Sequence, residues 1–108
     1  EKLPGELPLG YLKRLEVARA LALNPSLLLL DEPLAGLSKP EAKEMADLIS
    51  NLPRIGLSVV LIEHNLPQVQ RICPTLYVQS NGRQLAFGAT NDVMADPAVR
   101  QAYLGVGA

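Results

Sequence analysis

The sequence predicts an α/β fold, a partial layer of parallel strands covered by helices, and three observations carry that prediction. Leu27–Leu30 is a short leucine run closed by Asp31 and Glu32, as a buried strand often ends. Leu57–Ile62 reads L-S-V-V-L-I, apolar on both faces, as strands are in a sheet covered on both sides. Between them lies a segment with apolar residues at helical spacing. Strand, helix, strand in that order is a βαβ unit.

The elements follow in order. Residues 1–10 hold Pro4, Gly5, Pro8 and Gly10 and read as an irregular lead-in. Tyr11–Leu23 has no Gly or Pro and is rich in Ala, Leu, Arg and Lys, which predicts a helix. After Glu16 its apolar residues spread around most of the circumference, so this helix is expected to be buried on several sides. Asn24-Pro25 ends it. Beyond the first strand comes a loop, Pro33–Ser38, with Gly36 inside it. Ser38 and Glu41 have the spacing of a capping box. Ala42, Met45, Ala46, Ile49 and Leu52 then form one face of a surface helix that ends near Pro53–Gly56. After the second strand, Asn65 is placed to cap a short helix reaching about Cys73. Thr75–Gln79, the Asn81-Gly82 turn and Arg83–Phe87 read as a β-hairpin. Thr90 and Asp96-Pro97 mark two short closing helices.

Composition narrows the function classes. The 108 residues allow one small domain. A net charge of −1 gives no electrostatic case for nucleic acid as a partner. One cysteine makes no internal disulfide and fits a reducing compartment. No apolar run approaches the length of a membrane span. The chain starts at Glu1 without Met, close to a motif, and is expected to be part of a longer protein.

Both parallel strands end in titratable groups, Asp31-Glu32 and Glu63-His64. Ligands of open α/β sheets bind beyond the carboxyl ends of strands, so Asp31, Glu32 and His64 should share one crevice. A carboxylate there can orient the waters of Mg²⁺, which takes hard oxygen ligands and keeps part of its hydration shell. A second carboxylate can polarise an attacking water, and an imidazole can hold that water or a phosphate. By itself the same pattern also fits a strand ending in two solvated acids and a hydrogen-bonded structural histidine. Glu63 reads as a structural or rim residue.

Context adds to this. Leu7–Glu16 (L-P-L-G-Y-L-K-R-L-E), Ala18–Leu21, Asn24-Pro25, Leu27–Pro33, Ala35–Ser38 and Glu63–Asn65 together resemble the second half of an ABC-type ATP-binding subunit, in order and spacing. The resemblance covers nearly the whole chain. It implies that Leu7, Pro8, Leu9, Gly10 and Tyr11 stand at the signature motif, where Gly10 would meet the γ-phosphate of ATP held by the opposite subunit. It implies that Asp31 holds Mg²⁺ through water, that Glu32 is the general base, that Ala35, Gly36, Leu37 and Ser38 form the D-loop, and that His64 is the switch histidine. The implied partners are a second ATP-binding subunit in a head-to-tail dimer and transmembrane permease subunits, at the cytoplasmic face of the inner membrane.

There are departures from the family pattern. Pro8 replaces a serine, Leu9 a glycine, and Ser38 the D-loop aspartate, while Tyr11 and Leu12 stand where Gln-like residues are usual. No G-x-x-x-x-G-K-[S/T] phosphate loop occurs, and the Q-loop is absent as well. Residues 1–108 thus resemble a partial domain running from the signature motif to the C-terminus, expected to be inactive toward ATP alone. The ending, from Glu63-His64-Asn65 to Asp96–Gly105, looks like that of a branched-chain amino acid importer ATPase. Urea or amide importers and the ATPase of lipopolysaccharide export share much of it. A degenerate, non-catalytic ATPase-like module is the alternative that Tyr11, Leu12 and Ser38 motivate.

Overall fold

A computed structural model describes residues 8–104. The chain divides into two compact units, one running to Val69 and one from Gln70.

The first unit opens with helix α1 (Leu9–Leu21), followed by strand β1 (Leu27–Asp31), helix α2 (Lys39–Asn51), a 3₁₀ turn (Leu52–Ile55) and strand β2 (Ser58–Ile62). β1 and β2 pair in parallel, Leu27 opposite Ser58 through Asp31 opposite Ile62, so the expected βαβ unit is present. α1 starts two residues earlier than the sequence suggests and ends two earlier. Pro8 takes the N-cap position with φ −58° and ψ 147°, which lets Leu9 and Gly10 enter the first turn. Asn24, at φ 53°, turns the chain away at the other end.

The expected burial of α1 on several sides is not what forms. Val17 is its one buried residue, and Leu9, Tyr11 and Leu15 are exposed. Within this unit α1 packs on α2, and one neighbouring helix covers one side of a helix. The sheet departs from expectation for a similar reason. Leu28 is buried, but Leu27, Leu29, Val60 and Ile62 share the opposite face and are exposed. Alternate residues of a strand point to opposite faces, and the described elements of this unit shield one of them.

α2 forms as its pattern requires. Ala42, Met45, Ala46 and Ile49 are all buried, Met45 to 1% exposure. Burial of side chains the size of Met45 and Ile49 contributes about 1.5–3 kcal/mol each. At its start the Ser38 hydroxyl accepts from the Glu41 N–H (3.3 Å), and the Glu41 carboxylate accepts from the Ser38 N–H (3.1 Å). This reciprocal box satisfies two backbone donors that the helix itself cannot. Gly56, at φ 84°, carries the chain out of the 3₁₀ turn toward β2.

Helix α3 (Leu66–Ile72) is capped by Asn65, whose Oδ1 accepts from the Gln68 N–H at 3.3 Å. In the second unit β3 (Thr75–Ser80) and β4 (Arg83–Ala89) form the expected hairpin. Asn81 (φ 52°) and Gly82 (φ 76°) both adopt positive φ, the requirement of the two-residue turn that matches strand twist. Leu85 is an extra residue between the pairs Val78–Ala86 and Gln79–Gln84, a bulge the sequence did not signal. Tyr77 and Phe87 lie directly opposite, ring centroids 6.2 Å apart. Helix α4 (Thr90–Ala95) packs on the hairpin through buried Val93 and Met94. The Thr90 hydroxyl donates to the Cys73 carbonyl. Asp96 caps the closing turn Pro97–Val99 through the Ala98 N–H at 2.8 Å. No helix among the described residues is long and apolar enough to cross a membrane.

Candidate functional site

The carboxyl ends of β1 and β2 meet within the first unit. The Glu32 N–H donates to the Ile62 carbonyl at 2.7 Å, one step past the last ladder pair. Glu32 itself has φ 50°, a left-handed conformation in which a non-glycine residue is strained. That geometry ends the strand abruptly and turns the Glu32 side chain to the strand beside it. The Nε2 of His64 lies 2.8 Å from the Glu32 Oε1. Both groups stay accessible, with His64 78% and Glu32 41% exposed at the side chain. Of the three residues expected to share one crevice, the structure joins Glu32 and His64, whereas Asp31 lines a cavity with Lys13, Glu16 and Pro33 that neither of them enters. Asp31 ends β1 opposite Ile62.

Other contacts hold this corner. The Glu32 carbonyl accepts from the Ala35 N–H (3.2 Å) and from the Lys13 ammonium of α1 (3.4 Å). Glu63 has the structural role its position suggests, and its carboxylate is a hub. Its Oε2 accepts from the Leu34 N–H at 2.9 Å, and its Oε1 from the N–H groups of His64 (3.0 Å) and Asn65 (3.4 Å). Spacing gives no hint of the Leu34 bond, because its partner lies on the other strand's loop.

Ala35–Ser38 runs from the second of two overlapping tight turns, Glu32–Ala35 and Leu34–Leu37, into the N-cap of α2. Its Leu37 N–H donates to the Leu34 carbonyl at 3.2 Å, and Gly36 has φ 78°. A Cβ at Gly36 would stand 2.8 Å from the Leu9 Cδ2, so the positive φ calls for glycine and any side chain there would push the Leu9 tip aside. A Cβ at Gly10 would stand 2.8 Å from the Glu41 Oε2. Pro8–Tyr11 thus lies against residues 35–38 through Leu9 and Gly36, and against the start of α2 through Gly10 and Glu41. Leu7 lies outside the described residues.

Charge around Gly10 is mixed. The Ser38 backbone N–H and hydroxyl hold the Glu41 carboxyl below its ordinary 4.5. Arg14 pairs with Glu44 at 2.6 Å across α1 and α2. A cavity of about 200 Å³ lies here, lined by Gly10, Tyr11, Arg14, Leu37, Glu41 and Glu44. It is below the size of ordinary small-molecule sites, and its two carboxylates oppose a triphosphate. At the start of α1 no side chain caps the helix, and its first backbone bond runs from the Leu12 N–H to the Pro8 carbonyl at 3.1 Å. The N–H groups of Leu9, Gly10 and Tyr11 have no acceptor within the helix, which suits an anion brought from outside.

Among the described residues no group of three or more His, Cys, Asp or Glu could hold a metal ion. Mg²⁺ bound with a nucleotide needs one or two protein carboxylates, the rest of its shell being phosphate and water, and the exposed Asp31 at a strand end fits that demand.

No family model matches the chain. The lipopolysaccharide export system ATP-binding protein LptB of Acidithiobacillus ferridurans is 40% identical over 96 residues, 89% of this chain and 40% of that protein. The high-affinity branched-chain amino acid transport ATP-binding protein LivG of Salmonella typhimurium is 40% identical over 100 residues, 92% of this chain and 39% of that protein. The solved structure of MJ1267, an ATP-binding cassette of an ABC transporter, superposes with a TM-score of 0.84 at 34% identity, covering 94% of this chain and 42% of that one.

The chain matches the C-terminal part of an ABC transporter ATP-binding subunit.

Its α/β fold is that of ABC ATPase domains. It spans about two fifths of the length of the curated relatives it matches, 40% for LptB and 39% for LivG. LptB and LivG match equally well at 40% identity, so the expectation of a branched-chain amino acid importer is not singled out.

Proposed function

We propose that this chain is the part of an ABC transporter ATPase that carries the signature motif and the catalytic carboxylate, and that its parent hydrolyses ATP to drive transport. The observation supporting this reading most directly is the Glu32–His64 contact of 2.8 Å at the paired strand ends. Glu32 is the general base, accepting the proton of an attacking water at its carboxylate. The Nε2–H of His64 keeps that carboxylate aimed and is in reach of a γ-phosphate beside it. Asp31 would hold Mg²⁺ through water, and that ion, when bound with ATP, neutralises charge developing on the phosphate oxygens. The Pro8–Tyr11 segment offers its backbone N–H groups to the ATP of a second ATP-binding subunit in a head-to-tail dimer, with Leu7 completing the motif. Ala35–Ser38 lies against that segment and forms the D-loop. The phosphate loop comes from the remainder of the parent, which docks on transmembrane permease subunits at the cytoplasmic membrane face.

For the solute, the likeness to LivG supports import of branched-chain amino acids. The likeness to LptB supports a second reading, lipopolysaccharide export. The test is E32Q in the full-length parent. A general base contributes about 10²–10⁴-fold, so turnover should fall by that order while ATP-driven dimerisation persists. Wild-type turnover in E32Q would remove Glu32 from this role.

A further inference from the structure

We propose that Glu63 is a positioning residue that sets the Glu32–His64 contact, an inference resting on the ATPase reading above. One carboxylate takes three backbone N–H groups from two different loops: Leu34, two residues past Glu32, and His64 and Asn65 past β2. The two oxygens divide the work. Oε2 serves the loop after β1, and Oε1 serves the loop after β2.

This bridge is anchored. Leu34 is 3% exposed, and Pro33 joins it rigidly to Glu32. A left-handed Glu32 persists only where its surroundings over-determine it. The Ile62 carbonyl fixes the Glu32 N–H, and Ala35 and Lys13 fix its carbonyl. The Leu34–Glu63 bond is a second link, beyond Glu32–Ile62, between this loop and the strand end carrying His64. Without it, the 2.8 Å approach of Glu32 and His64 rests on one backbone bond and two accessible side chains.

The chemistry of the side chain makes the claim specific. Glutamine offers one oxygen; the two N–H groups of His64 and Asn65 hold it, which leaves the amide NH₂, a donor, facing the Leu34 N–H. Aspartate is a methylene shorter and keeps the His64 and Asn65 N–H groups while losing the reach to Leu34. Glu63→Gln, Glu63→Asp and Glu63→Ala should therefore all free the Leu34 amide.

The first readout is amide hydrogen exchange in the nucleotide-free full-length parent, which needs no turnover. Leu34 exchange should rise about tenfold or more in E63Q, E63D and E63A, with the amides of buried Met45 and Ala46 unchanged as the measure of global opening. Unchanged Leu34 exchange, or a rise shared by Met45 and Ala46, would overturn the bridge. The second readout is ATP turnover of the full-length parent, with E32Q alongside. E63Q should lower kcat about tenfold with KM for ATP within about twofold, as misalignment of catalytic groups does. Loss of turnover in E32Q with wild-type turnover in E63Q would sink the positioning role. Wild-type turnover in E32Q itself would instead remove Glu32 from the general-base role proposed above, and Leu34 exchange alone would then decide Glu63.

Discussion

The imidazole Nε2 of His64 lies 2.8 Å from the Oε1 of Glu32, joining the ends of two strands that pair in parallel. Neither side chain is buried, so the contact is not a demand of the core. Its energy in water is small, and its value lies in direction.

Replacing His64 therefore separates chemistry from folding. H64A should leave the unfolding free energy within about 0.5 kcal/mol of the parent, as surface substitutions do. Turnover of the full-length protein should fall about a hundredfold, the lower range for a misplaced acid–base partner. Denaturant titration and steady-state ATPase assays read the two effects.

The capping box at the start of α2 gives a pH prediction. The Ser38 N–H and hydroxyl stabilise the charged form of Glu41 and hold its carboxyl below 4.5. A carboxyl depressed in the folded state adds stability that is complete above its unfolded value. That stability fades as pH falls through 4.5 toward the folded value. S38A should cost about 1 kcal/mol near neutral pH, the typical worth of an N-cap. It should also lessen, without removing, the loss of stability below 4.5, because the hydroxyl's pull on Glu41 is gone while the larger pull of the residue-38 backbone N–H stays. Urea unfolding at several pH values in both proteins measures this.

The packing of Leu9 on Gly36 can be tested by a double-mutant cycle. G36A should destabilise by about 1–3 kcal/mol, since φ 78° is strained for any side chain and the new Cβ meets Leu9 at 2.8 Å. Shortening Leu9 to Ala removes the second cause and leaves the first. The double variant L9A/G36A should thus recover about 0.5–1 kcal/mol relative to the sum of the single changes. Strict additivity would place the whole cost in the backbone.

Much of this architecture is legible in the residues. Continuous apolar runs place β1 and β2, helical spacing places α2, and the Asn81-Gly82 turn places the hairpin. Short-range polar signals, Ser38 with Glu41, Asn65 and Asp96, mark helix starts that the structure uses. The meeting of Glu32 with His64 is legible too, because parallel strands bring like ends together. What spacing cannot carry is contact between segments far apart in sequence. Nothing local marks Glu63 as the acceptor for Leu34, Glu41 as the neighbour of Gly10, or Leu85 as a bulge. The burial of α1 was misjudged because its apolar residues specify what it can bury, while its neighbours decide what it does bury.

The left-handed backbone at Glu32 sets folding and chemistry against each other at one position. Glycine or asparagine would rest more easily there, and either would discard the carboxylate. A search for sturdier variants of this chain would therefore drift toward losing the group on which its proposed reaction turns. The discomfort of that residue is a physical trace of selection for something other than stability.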